Sequence, residues 1–254
     1  METLHVQHWG EGPPVLLVHG SVLNGEMTWA QQRPLADRWA LVLPDRRGYW
    51  PNPPAEREDF AVDAGDIAAL LGDGMHLVGH SYGGVVALLA AAQRPDAVRS
   101  LTVIEPPAFG LVRGDPEVEP WLARTVEFWA NGPRDPEAFL RTFLGAVGSN
   151  AVLPSPLPPP LLQHARLLQV ERPPWEAQIP VAQLRAAPFP KLVISGGHSP
   201  VFDAVCDVLE RELEAERAVI PGAGHSVPRT GTPFNERLEH FLRAAEAHTP
   251  PAGG

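Results

Sequence analysis

A single cysteine, Cys206, excludes an internal disulfide and any metal site built on a cysteine pair. Basic residues are scarce. The chain has 20 Lys and Arg against 30 Asp and Glu, a formal charge of -10, and no basic run. That balance argues against a nucleic-acid partner. No apolar stretch approaches the roughly 18 residues needed to span a bilayer, so no membrane partner is expected. The opening METLHVQHWGEG lacks the charged-then-apolar layout of a secretory leader. With so little cysteine, the cytoplasm is the expected compartment. Internal repeats and a recognisable phosphate-binding loop are also missing. No cofactor and no metal are expected.

What is present is ordinary for a globular protein: 44% hydrophobic and 20% charged residues in a chain of 254, long enough for a sizeable core. The 30 prolines are the exception. They gather in PSPLPPPLL at 154–162, which reads as a loop between helices, and in the terminal TPPAGG, which reads as a frayed end.

Short apolar runs bounded by turn residues recur at Val15–Val18, Ala40–Leu43, His76–Val78, Leu101–Ile104, Leu192–Ile194 and Arg217–Ile220. Runs this short and apolar fit strands buried on both faces, as in a parallel sheet. Leu4–Trp9 alternates instead and reads as an exposed, antiparallel edge strand. Helical patterns lie between, at Thr28–Ala36, Val62–Leu71, Tyr82–Gln93, Phe202–Leu213 and Pro233–Ala247. Strand alternating with helix predicts a three-layer α/β domain. One interval breaks the alternation. Residues 107–188 contain no convincing strand but three helical patterns, at Val118–Ala130, Pro136–Val147 and Leu161–Val170. About 80 residues exceed an ordinary crossover, so this interval predicts a cap over the loop end of the sheet. The core is then 1–106 with 189–254.

The stretch GHSYGG at 79–84 joins a predicted strand to a predicted helix. Glycines at 79 and 83 make room for an abrupt turn that lifts Ser81 clear. The amides of the helix start face any developing oxyanion. Ser81 is therefore a candidate nucleophile, and a tolerated turn serine is the alternative.

Together with VLLVHGS at 15–21, LPDRRGY at 43–49 and IPGAGHSV at 220–227, this stretch resembles the α/β-hydrolases. The resemblance implies a mostly parallel sheet with a cap often inserted after the family's sixth strand. This chain would begin one strand late, with about seven strands. It implies Ser81 as nucleophile, His225 as base, and an oxyanion hole from the N–H groups of Ser21 and Tyr82. His19 would brace that loop, and His80 and His76 would be structural. His5, His8, His164, His240 and His248 have no chemical context.

The acid departs from the family pattern. The usual aspartate position, in VISGGHSPVFD, is Ser199, preceded by His198. Asp203 lies further on at a helix start, where an aspartate commonly meets only the helix dipole. A minority of the family carries the acid one strand earlier, where LTVIEPP places Glu105 at the end of a buried run. A buried glutamate is costly without a partner. Glu105 is the expected acid, with Asp203 or a water-filled or absent acid as alternatives, while a salt bridge from Glu105 to Arg46, Arg47 or a cap arginine, or exposure to water, is the non-catalytic reading.

The resemblance implies acyl transfer through an acyl-enzyme. Trp121, Phe128, Trp129, Phe139, Phe143 and Trp175 fall in the cap, and about a third of them are expected to line a pocket. A small, neutral, fairly hydrophobic ester, lactone or thioester is the expected substrate. The same residues could instead serve a cofactor-free perhydrolase or haloperoxidase, a C–C hydrolase, or a ligand-binding receptor.

Overall fold

The structure, a computed structural model, describes residues 4–149 and 151–248. The terminal TPPAGG lies outside the described residues. Strands β1 (Val6–Trp9), β2 (Pro14–Val18), β3 (Ala40–Pro44), β4 (Met75–His80), β5 (Val98–Ile104), β6 (Lys191–Ser195) and β7 (Glu216–Val219) form one sheet. Their order is β1-β3-β2-β4-β5-β6-β7, with β1 antiparallel to β3 and every other pairing parallel. After β2 the chain moves outward to β3, then returns to place β4 on the other side of β2. The crevice at the carboxyl ends of β2 and β4 is such a reversal point, where α/β sheets bind ligands.

Helices cover both faces. On one lie α2 (Phe60–Leu70), α3 (Tyr82–Gln93) and α8 (Pro200–Leu213), packed on Leu16, Leu77, Leu101 and Val193. The other carries α1 (Gly25–Trp29), the 3-10 turns of Ala30–Asp37 and α9 (Thr232–His248), packed on Leu17, Val78, Ile104 and Ile194. Alternate residues of each strand serve opposite faces, which explains the uninterrupted apolar runs. Two predicted elements differ. The helix expected at Thr28–Ala36 ends at Trp29 and continues as 3-10 structure with Pro34 inside, where proline has no N–H to donate. The last strand is an edge strand with Val219 47% exposed, so it is not buried on both faces.

Between β5 and β6 run α4 (Val118–Asn131), α5 (Pro136–Ala146), α6 (Pro159–Leu168) and α7 (Val181–Ala186). Phe139, Leu140, Leu161, Ala165 and Leu168 form a separate small core that also takes in Val22. The short α7 has no periodicity long enough to read in sequence. It packs on α3 and α8 through buried Leu184. No helix among the described residues is long and apolar enough to cross a membrane.

Candidate active site

Ser81 is the residue between β4 and α3, with φ 53° and ψ -126°. Non-glycine residues seldom adopt positive φ, and the surroundings must enforce it. The flanking glycines show how. A Cβ at Gly79 would come within 2.3 Å of Gly83 O, and one at Gly83 within 2.3 Å of His19 O. Only glycine lets α3 settle this closely onto β4 and the end of β2. The helix is buried on nearly every side, as its Ala- and Val-rich sequence requires.

Three chain ends meet above this turn. Ser81 Oγ stands 2.8 Å from His225 Nε2, and His225 Nδ1 stands 3.1 Å from Glu105 Oε2. His225 follows β7, and Glu105 follows β5 with φ 50°. Glu105 Oε1 also accepts the Gly196 N–H at 2.6 Å. The arginines that could have paired with Glu105 are engaged elsewhere. Arg46 binds Glu58 and Asp63, and Arg47 binds Asp66. Asp203, the alternative acid, accepts from Ser195 Oγ at 2.5 Å and from Arg217 at 3.2 Å, and does not reach His225.

Burial holds His225 well below the ordinary imidazole range, with His198 adding to the shift, so the ring is neutral and can accept a proton. Burial pushes Glu105 up to about 7, against the pull of the Gly196 amide and His198. His80 donates from Nε2 to His225 O at 2.8 Å, steadying the backbone beneath the imidazole. The loop after α5 adds further ties. Gly148 O accepts from His225 N at 3.2 Å, and Ser149 Oγ meets Ser226 Oγ at 3.0 Å.

Ser21 and Tyr82 flank Ser81. A Cβ on Gly20 would lie 2.9 Å from the Ser81 Cβ, so the Ser21 loop presses directly on the turn. Among the described residues neither the Ser21 nor the Tyr82 amide donates a hydrogen bond. His19 braces the loop: Nδ1 donates to Gly20 O at 2.8 Å, and Nε2 accepts from Arg46 N at 2.9 Å. The Arg46 guanidinium donates to the carbonyls of His19 and Gly20, both at 3.0 Å. His164 donates to Val22 O at 2.9 Å, linking α6 to the same loop.

A cavity of about 360 Å³ opens over Ser81 and His225. Trp121, Phe128, Trp129, Phe143 and Trp175 line it. About a third of the cap aromatics were expected there. Instead Phe139 alone turns away, stacked on Phe128 at 4.3 Å. The rings pack edge to edge around Trp129, which lies 5.6 Å from Phe143 and 5.5 Å from Trp175, and the cluster presents its inner side to the cavity.

Glu171 lines the cavity as well and accepts a hydrogen bond from Ser21 Oγ. Burial, with Glu58 beside it, holds its carboxyl well above the carboxylate range. Sequence reading missed Glu171, which follows Gln169-Val170 with no buried run or spacing to mark it. Glu105, His198 and His225 bring donor atoms within 4.8 Å of one another. Within that group Glu105 and His225 are joined by a hydrogen bond.

Comparison with known proteins agrees with this architecture. A pimeloyl-[acyl-carrier protein] methyl ester esterase of Aeromonas hydrophila is 34% identical over 110 residues, 42% of this chain and 43% of that protein. Lipase LipV of Mycobacterium tuberculosis is 37% identical over 109 residues, 41% of each chain. These matches span less than half the length of either relative. The crystal structure of an alpha/beta hydrolase from Sphaerobacter thermophilus superposes with a TM-score of 0.69 at 25% identity, over 94% of this chain and 96% of that one. The family model described as "Alpha/beta hydrolase family" matches residues 15–236, and the chain belongs to that family.

Proposed function

We propose that the protein is a serine hydrolase of small, neutral, fairly hydrophobic carboxylic esters, lactones or thioesters. The observation that carries this reading is the unbroken hydrogen-bonded series Ser81–His225–Glu105 at the floor of an aromatic-lined cavity. The named activities of the relatives, a methyl ester esterase and a lipase, point the same way.

In this reading Ser81 Oγ attacks the carbonyl carbon while His225 Nε2 takes its proton. The N–H groups of Ser21 and Tyr82 receive the oxyanion. Their lack of other partners leaves them free to do so, and the Tyr82 amide sits at the positive end of α3. His225 then protonates the leaving alkoxide or thiolate, and the acyl group stays on Ser81. A water, deprotonated by His225, attacks this acyl-enzyme and releases the acid and the free serine. Glu105 holds the imidazole tautomer and balances its charge at each step. Residues 107–188 serve as the cap that shields the reaction, although α7 sits with the core helices rather than over the cavity. The aromatic lining favours an apolar acyl or alcohol group.

The test is covalent labelling with a fluorophosphonate, together with turnover of p-nitrophenyl esters graded by acyl length. Labelling and turnover are expected, and both should be lost in Ser81→Ala with the fold intact. A Ser81→Ala protein that still gains one probe mass overturns the assignment. Labelling without turnover of any ester would favour a ligand-binding role.

A further inference from the structure

A fourth ionisable group touches the Ser81–His225–Glu105 series. His198 lies in the loop between β6 and α8. Its Nε2 is 3.2 Å from Val147 O, an atom that can only accept, so this nitrogen carries a hydrogen. Its Nδ1 is buried, has no hydrogen-bond partner and stands 3.6 Å from Glu105 Oε2. A neutral ring with its hydrogen on Nε2 would turn a bare lone pair from Nδ1 toward a carboxylate oxygen, which is repulsive. A proton between the two groups removes the repulsion. It can sit on Glu105, leaving a neutral acid, or on His198, giving an imidazolium.

The surroundings of Glu105 favour the second placement. The carboxyl accepts from the Gly196 amide and from His225 Nδ1, and donors to a carboxylate favour its ionised form, while its full burial then calls for an opposite charge beside it. Among the described residues no lysine or arginine pairs with it. Its ion-pair neighbours are His198 and His225. His225 must remain neutral to act as a base. His80 already donates its Nε2 hydrogen to His225 O. Asp203, in the first turn of α8, is bound to Ser195 and Arg217. The positive end of α8 and the nearby His225 ring, 6.3 Å away, oppose a charge on His198, and Glu105 is the group that offsets them. The ring itself is held in place. Phe202 stacks on it at 5.9 Å, and a Cβ on Gly148 would approach its Cδ2 to 2.7 Å.

We propose that His198 is a positioning residue whose imidazolium, paired with Glu105, draws the buried carboxyl toward its ionised form, in which it orients His225 and balances its charge in the transition state. The proposal rests on reading Ser81, His225 and Glu105 as a catalytic triad. It accounts for a histidine in the very loop where the family usually carries its acid: the carboxylate has moved to β5, and the vacated loop supplies its counter-ion. It agrees with the direction in which His198 shifts Glu105, toward the ionised form. It also ties the charge on the acid to the seating of the cap, because Val147 at the end of α5 holds the far side of the ring.

Two measurements test the proposal. In histidine-labelled wild-type protein, nitrogen NMR at about pH 7, where an unpaired imidazole is largely neutral, should show both ring nitrogens of His198 protonated. His198→Leu should move the acid limb of the kcat/KM profile to higher pH by about 1 unit or more, with turnover recovering on the alkaline side. A cation in the same place, His198→Lys, should return the limb toward its original position. A purely structural role would lower the rate equally at every pH. A bare ring nitrogen on His198 in the wild type, or an unmoved limb in His198→Leu, overturns the proposal. If His198→Leu fails to fold, the wild-type spectrum decides. If no ester is turned over, the hydrolase reading fails while the spectrum still reports on the pair.

Discussion

Glu105 Oε2 lies 3.1 Å from His225 Nδ1, although the two residues are 120 positions apart in the chain. One ends β5 and the other follows β7, with β6 between them, so the contact spans the width of a strand at the sheet's carboxyl edge. Both residues are buried. The separation is bridged because Glu105 adopts φ 50° and turns its side chain back over Gly196, whose amide it accepts.

With Glu105 as the proposed acid, its replacement should be severe. Glu105→Gln is expected to lower kcat by a factor on the order of 10³–10⁴, since an amide cannot balance the imidazolium and favours the wrong tautomer. Asp203→Asn, which loosens only the contacts to Ser195 and Arg217, should leave turnover within a few-fold of wild type, on the order of a lost surface ion pair. Steady-state kinetics on one ester decides, and the reverse ranking would make Asp203 the acid.

Activity should rise with pH through an ionisation near 7 that belongs to Glu105 rather than to His225. Burial raises the carboxyl to about 7, and it keeps the imidazole neutral well below that point. The acid limb of kcat/KM should accordingly disappear in Glu105→Gln, leaving a lower, flat profile over the neutral range. A limb that persists unchanged in that variant would assign it to the imidazole.

Thermal stability should peak near pH 6 and fall on both sides. Burial lowers His76 and His164 to about 4, His80 to about 3, and His19 and His225 as well. Between these values and about 6.5 the unfolded chain binds more protons at histidine, so acidification through that window costs stability. Burial also raises Asp63 and Glu105 to about 7, and lifts Asp45 and Glu171. The folded chain keeps these protons where the unfolded chain has released them, so their contribution is present at low pH and lost as pH rises, through about 7 for Asp63 and Glu105. Below about 6.5 the five histidines outweigh the four carboxyls. Above it the histidines are neutral in both states and only the carboxyls act. Calorimetry should show the maximum, and a Tm climbing steadily from pH 6 to 9 would contradict it.

Arg46→Met should cost about 3–5 kcal/mol in chemical denaturation. The guanidinium is fully buried between Glu58 and Asp63, and its loss leaves carboxylates without a counter-ion. Adding Asp63→Asn, which removes one of those charges, should recover part of the loss. A single variant as stable as wild type would show that the cluster carries little net charge.

Much of this was legible because it is local. A strand buried on both faces must be continuously apolar, so the central strands stand out in sequence as short runs. The turn at Ser81 needs glycine on either side for reasons confined to a few residues: a Cβ at 79 or 83 would strike backbone. His225 stood out through the resemblance of IPGAGHSV to the family's motif, not through any local constraint of its own. Elements under weaker local constraint were not legible. Pro34 ends one helix early, α7 is too short to show a period, and β7 lies at the edge with half its residues toward solvent.

The sequence by itself determined the layered α/β fold, the serine on its strand-to-helix turn and the helices carried between β5 and β6. Tertiary structure alone decided which carboxyl meets His225. Asp203 and Glu105 both follow apolar strands, and only the packing of α8 commits Asp203 to Ser195 and Arg217 while the backbone at 105 turns inward. It also decided that Trp121, Phe128, Trp129, Phe143 and Trp175 face the cavity, that Glu171 reaches Ser21 and that His198 stands against Glu105. Each of these depends on where separate chain segments come to rest, and a side chain's neighbours across such distances leave no period or spacing to read.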